Sequence, residues 1–289
     1  MKAKMINTVL RKKINDLLES ILDDAVREIV KNNIIVTGGC IASMLLREKV
    51  NDYDIYLRTR DAALKLTEYY VDLYRKSHPD TGIQIVGDED PDRVKLRIPS
   101  KGVEGNIELK DDEESTPEEL AEAEAAEKEM DKGNTKYRPV FFSANAITLS
   151  GKVQIIIRFH GEPEAIHENY DFVHCTNYWT SWDNKLILNK DALESLITKE
   201  LRYVGSKYPL CSIIRLRKFI KRGWTINAGQ ILKMVMQANV IDLLDINVLE
   251  DQLTGVDALY FRGIISALKE GSTKEFDSTY VAKLVDKLF

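Results

Sequence analysis

Long apolar runs are missing from this 289-residue sequence. None approaches the roughly 18 residues that a membrane-spanning helix needs, and the opening Met1-Lys2-Ala3-Lys4 leads into an amphipathic pattern without a signal-peptide core. A cytoplasmic protein with no membrane partner is expected. Cysteine is scarce: Cys40, Cys175 and Cys211 are odd in number and lack Cys-x-x-Cys spacing, which excludes a disulfide framework and a zinc ribbon. Histidine is scarce too, and His160, His167 and His174 recur at intervals of seven rather than the three or four of helical metal sites.

Hydrophobic residues at 44% and charged residues at 30% give the balance of a globular chain and exclude a disordered or fibrous one. The length suits one large domain or two ordinary ones, at about 100–200 residues each. A net charge of −5 conceals an asymmetry. Residues 104–131 carry 13 acidic side chains against Lys110 and Lys128, a local charge of −11 that leaves the remainder at +6. Residues 199–233 carry nine Lys or Arg against Glu200 alone, or +8. That stretch suits a phosphate-bearing partner.

Apolar positions from Ile6 to Val30 fall at threes and fours and predict one long amphipathic helix. Ile34-Ile35-Val36 reads as a strand, Gly38-Gly39 as a turn and Ile41 to Leu46 as a helix. A strand over Tyr53 to Leu57 and a helix from Asp61 to about Lys76 follow. Further strands are expected at 83–86, 94–98, 140–149, 153–159, 170–175 and 185–188. Residues 104–136 read as a solvated acidic insertion, with an acidic arm competing for the basic stretch as the alternative. From Asp191 onward the spacing is helical, with late helices expected near 257–269 and 278–289. The fold class is therefore α+β, a mixed sheet with flanking helices over 1–189 followed by a small all-helical domain over 190–289.

The informative constellation lies between Val36 and Leu57. Asp52 and Asp54, two residues apart on an extended segment, point to one face and can hold divalent cations. Gly38 and Gly39 permit a turn that brings a helix N-terminus and the Ser43 hydroxyl to a triphosphate. Two metals need a shared acidic set, so a third carboxylate is expected. Asp171, flanked by apolar residues, is the candidate, and Glu108 is the runner-up. Arg215, Arg217, Lys218, Lys221 and Arg222 lie within two helical turns and are read either as a solvated face or as a grip on RNA or triphosphate. Tyr178, Trp179 and Trp182 could stack bases or anchor the junction between the two parts. Cys40 is read as a small packing residue.

These residues resemble the nucleotidyltransferase superfamily with a DNA polymerase β-type core, and most closely its poly(A) polymerase and CCA-adding enzyme branch. Gly38-Gly39-Cys40-Ile41-Ala42-Ser43-Met44-Leu45 and Asp52-Tyr53-Asp54 match the first motif, and Asn169-Tyr170-Asp171-Phe172-Val173-His174-Cys175 lines up with the second. Leu201-Arg202-Tyr203-Val204-Gly205, Pro209-Leu210, Arg215, Lys218-Phe219 and Gly223-Trp224 follow the helical block. Ala42-Ser43 replaces Arg-Asp, and the arginine pair before Asp171 is absent.

The resemblance implies transfer of a nucleoside monophosphate from an NTP to a hydroxyl acceptor such as an RNA 3′ end, with two Mg²⁺ ions, or Mn²⁺, as cofactor. It assigns catalytic and metal-binding parts to Asp52, Asp54 and Asp171, phosphates to Gly38, Gly39 and Ser43, and RNA or phosphate contacts to the basic residues, Arg202 included. Two other classes stay open: a toxin- or defence-type enzyme modifying tRNA or protein, and an inert binding or virion assembly subunit. The pattern is also similar to phage-encoded proteins of this kind, which would place it in the host cytoplasm.

Overall fold

The computed structural model describes residues 1–79, 81–87, 94–97, 136–143 and 145–242, together with 245, 248 and 252. The chain divides into two compact units, one comprising Met1–His167 and Cys175–Asn189 and the other Glu168–His174 and Lys190–Phe289.

The first unit is built on a seven-stranded mixed sheet in the order β5-β6-β7-β2-β1-β8-β9. β1 (Ile34–Thr37) is buried throughout and lies in its interior, antiparallel to β2 (Tyr53–Leu57) on one side and to β8 (Tyr178–Thr180) on the other. β2 runs parallel to β7 (Val153–His160), with Asp54 opposite Gln154. β5 (Pro139–Phe142), β6 (Ala146–Leu149) and β7 form an antiparallel meander, and β9 (Lys185–Ile187) closes the other edge. β3 (Gln84–Gly87) and β4 (Val94–Arg97) pair separately.

Helices supply the rest of this core. α1 (Ala3–Ser20) buries Ile6, Leu10, Ile14 and Leu17, spaced by fours and threes along one face. The single long helix expected from Ile6 to Val30 is in fact two: the chain turns extended at Ile21, and the Asp23 carboxylate accepts from the amides of Ala25 and Val26 to start α2 (Asp24–Lys31). α3 (Gly39–Leu46) follows the glycine turn, and α4 (Arg60–Ser77) is capped by Thr59 and buries Leu66, Tyr70, Val71 and Tyr74. α5 (Pro163–His167) is a short helix after β7. The strand expected over 140–149 is a hairpin, because the Ser143 hydroxyl accepts from the Ala146 amide and turns the chain between β5 and β6.

The second unit contains α6 (Lys190–Thr198), α7 (Pro209–Lys221) and α8 (Ala228–Ala238) among its described residues. Pro209 opens α7, where a missing amide hydrogen costs nothing, and Asn227 caps α8 by accepting from Gln230 N. The strand expected at 170–175 is not formed. Val173 N donates to Arg202 O and Val204 N to Asp171 O, so an isolated antiparallel bridge to 202–204 holds the segment in this unit, and a 3-10 turn follows at Val173–Cys175. Phe172, His174, Tyr203, Phe219 and Trp224 form its aromatic core. The acidic insertion except Lys136, Glu108 and the two late helices lie outside the described residues. Among the described residues no helix is long and apolar enough to cross a membrane.

Candidate functional site

Gly38 sits at the end of β1 with φ 87° and ψ −151°, a conformation that a side chain would strain. Its amide donates to the Cys175 carbonyl at 3.1 Å. Gly39 then starts α3, and a Cβ added there would meet nothing within 4 Å. The amides beginning at Gly39 have no acceptor within the helix, so they, rather than that of Gly38, are the donors such a turn can offer. Ser43 lies a full turn along α3 and is buried.

Asp54 stands opposite Thr37 in the β1–β2 register and is half-buried, while Asp52 immediately precedes the strand and is exposed. Both carboxylates act on Cys40 in the first turn of α3: burial pushes this thiol well above its ordinary range, and the charges of Asp54 and Asp52 push it further. Cys40 is thus an uncharged packing residue whose Sγ faces the Thr37 carbonyl. The acidic pair and the helix start share one corner of the first unit. Two hard oxygen ligands of this kind, one of them solvent-facing, fit a magnesium ion. Among the described residues no group of three or more His, Cys, Asp or Glu side chains is arranged to hold a metal.

Asp171 belongs to the second unit, where its Oδ2 accepts from Arg215 Nη1 at 2.8 Å. The carboxylate read as a third metal ligand is therefore already countered by a guanidinium. Three residues on, His174 lies among Phe172, Phe219 and Trp224, its ring centroid 4.4 Å from that of Trp224. Burial lowers its pKa to about 4, against the opposing pull of Asp171, and its Nδ1 has no hydrogen-bond partner.

The basic residues divide. Arg202 is paired with Glu194 at 3.0 Å and Arg215 with Asp171, and Arg217, Lys218, Lys221 and Arg222 lie along the second half of α7 and its C-terminal cap, all four exposed. Trp179 is buried in β8 and donates from Nε1 to Asn7 Oδ1 at 2.6 Å. It anchors α1 to the sheet of the first unit. Trp182 lies under the Arg58 guanidinium, 4.5 Å from its centroid.

The Gabija anti-defense 2 protein family matches residues 8–199, about two thirds of the chain. The chain belongs to that family. A curated relative, Gabija anti-defense 2 of Bacillus phage SPbetaL7, is 19% identical over 245 residues, covering 84% of this chain and 46% of that protein. The chain thus spans less than half the length of that relative. Similar solved structures include the Thermotoga maritima CCA-adding enzyme complexed with tRNA, with 13% identity over 83% of this chain and 50% of that one at a TM-score of 0.40. Another is a CCA-adding enzyme complexed with ATP, with 14% identity, 86% and 49% coverage and a TM-score of 0.43.

Two groups of this family member escape a reading of the sequence. Thr37, which lies between the strand read at Ile34-Ile35-Val36 and the glycine turn, is a buried hydrogen-bonding node. In the second unit Gln230 and Gln237, seven residues apart on one face of α8, clamp the Leu201-Arg202-Tyr203-Val204-Gly205 run and the Ser206 that follows it. Gln230 Oε1 accepts from Tyr203 N at 2.9 Å; Gln237 Oε1 accepts from the Tyr203 hydroxyl, while its Nε2 donates to Ser206 O at 2.6 Å. Burial pushes the Tyr203 hydroxyl up to about 12, so it stays a donor. The seven-residue glutamine spacing is the one signal that could have flagged the clamp.

Proposed function

We propose that this chain is a metal-dependent nucleotidyltransferase that adds a nucleoside monophosphate from an NTP to a hydroxyl acceptor, an RNA 3′ end, and that it does so to counter a host defence. The observation that carries the reading is the shared corner of Asp52, Asp54 and the α3 N-terminus, where both carboxylates act on Cys40. The family to which the chain belongs supports the defence-related part.

In this reading Asp52 and Asp54 would hold a Mg²⁺ ion, or Mn²⁺. When bound, the metal supplies charge neutralisation of the triphosphate and polarisation at its α-phosphorus. The amides from Gly39 onward bind the β- and γ-phosphates, with the Gly38 conformation setting their direction and Ser43 behind them. Arg217, Lys218, Lys221 and Arg222 grip the acceptor's backbone. Asp171 is paired with Arg215 within the second unit. Thermal unfolding tests the binding step: Mg²⁺ with a non-hydrolysable NTP should raise the melting temperature of the unsubstituted protein and leave that of Asp52→Asn/Asp54→Asn unchanged. No shift in either would sink the reading.

A second reading, a binding subunit without turnover, is favoured by one observation, the engagement of Asp171 by Arg215. It predicts no nucleotide-dependent stabilisation.

A further inference from the structure

We infer that Thr37 and His167 form a positioning pair that fixes the Gly38 turn for phosphate binding. The inference rests on the nucleotidyltransferase reading and names two residues that the sequence motifs do not.

Thr37 is completely buried at the end of β1, where valine would serve as well if only shape mattered. A buried hydroxyl is costly unless it is used. Here Oγ1 lies 3.0 Å from Asn177 O, 3.3 Å from Cys175 O and 2.9 Å from His167 Nε2. Thr37 has one hydroxyl proton to place among the two carbonyls and the ring nitrogen. The bond between Thr37 and His167 stands in either tautomer of the ring: Nε2–H donates to the Thr37 oxygen, or a bare Nε2 accepts the Thr37 proton. The hydroxyl in this way ties three pieces of chain together.

The neighbouring residue completes the device. Gly38 N donates to the Cys175 carbonyl at 3.1 Å, and the Thr37 hydroxyl lies 3.3 Å from that same oxygen, with Asn177 O the nearer carbonyl at 3.0 Å. The Gly38 conformation, which the backbone of other residues avoids, is held from two directions. The direction of the Gly39 amide follows from it. On its other flanks Thr37 faces Asp54 across β2 and Tyr178 across β8, and the His167 ring meets Tyr178 edge-on at 5.6 Å between centroids. Burial lowers the His167 pKa to about 4, so the ring is neutral near pH 7.

The chain path offers a plainer role. His167 is the last residue of the first unit before the excursion through 168–174, and Cys175 is the first on return, so these hydrogen bonds could merely close the base of that excursion. Phosphate affinity separates the two roles.

The test is the dissociation constant for a non-hydrolysable NTP with Mg²⁺, and for inorganic triphosphate, in the full chain. Thr37→Val and His167→Leu should each weaken both ligands about five- to tenfold, as expected for one lost orienting hydrogen bond. The double variant should be no weaker than either single one. Thr37→Ser and His167→Gln, which keep a hydroxyl and an N–H, should bind within about twofold of the unsubstituted protein; these two also keep the test decisive should Thr37→Val fail to fold. Unchanged binding in Thr37→Val and His167→Leu, or losses that multiply in the double variant, would overturn the pair while leaving the nucleotidyltransferase reading intact. Absence of NTP binding by the unsubstituted protein would overturn both.

Discussion

Arg215 Nη1 lies 2.8 Å from Asp171 Oδ2, joining the middle of α7 to the segment that pairs with 202–204. The carboxylate is largely buried and the guanidinium partly exposed, so the pair is shielded on one side only. Asp171→Asn should lower unfolding stability by about 1–2 kcal/mol, between the worth of a surface pair and that of a buried charged hydrogen bond. Arg215→Met should cost a similar amount, and the double variant less than the sum. Urea denaturation of the four proteins measures this. Additive losses would mean that the ion pair contributes nothing of its own.

His174 predicts how the fold responds to acid. Burial holds its folded pKa at about 4 against an ordinary value of 6.5, with Arg222 adding to the effect and Asp171 opposing it. Because the unfolded chain takes up the proton more readily, this contribution to stability is fully present above pH 6.5 and is lost as the pH falls toward 4. The loss is on the order of 3 kcal/mol for one site. His174→Phe should be tolerated at pH 7, since Nδ1 has no partner to lose, and should flatten the decline between pH 6.5 and 4. An equally steep decline in that variant would place the acid sensitivity elsewhere.

The two glycines of the turn should differ. Gly38→Ala forces a side chain into φ 87° and should cost about 1–3 kcal/mol. Gly39→Ala meets open space in a helical residue and should be neutral or stabilising by up to about 1 kcal/mol. Melting temperatures decide this, and equal effects at both positions would contradict the assignment of strain to Gly38.

How much of this the sequence reveals depends on how local the cause is. The β1-turn-α3-β2 unit is legible because β-branched Ile34 to Val36, paired glycines and the alternation of Tyr53 to Leu57 each act over a few residues. Residues 170–175 look equally strand-like, but their backbone partners at 202–204 are about 30 residues away and turn the segment into the second unit. β8 is only three residues long, too short for alternation to register, so Trp179 reads as either a stacking aromatic or an anchor of the junction between the two parts, whereas it lies in the core of the first unit. The Asp23 cap that divides α1 from α2 is a short signal masked by an unbroken apolar spacing. At the site, the acidic pair is readable from its spacing, whereas Thr37 and His167 meet across 130 residues.

Acceptor binding should depend on the second half of α7. Arg217→Ala, Lys218→Ala and Lys221→Ala in one protein should weaken RNA binding and reduce its logarithmic salt slope by about 2–3 units, roughly 0.7–0.9 for each phosphate no longer neutralised. Filter binding over a salt series measures it. An unchanged slope would make these residues an ordinary solvated face.

Nucleotide transfer itself is decided by following label from α-labelled NTPs, with Mg²⁺, to RNA or protein acceptors in the presence of the unsubstituted chain or of Asp52→Ala/Asp54→Ala. Label should appear on RNA 3′ ends with the first protein and be absent with the second. Transfer that survives the double substitution, or label that reaches no acceptor in either case, would contradict a nucleotidyltransferase built on this acidic pair.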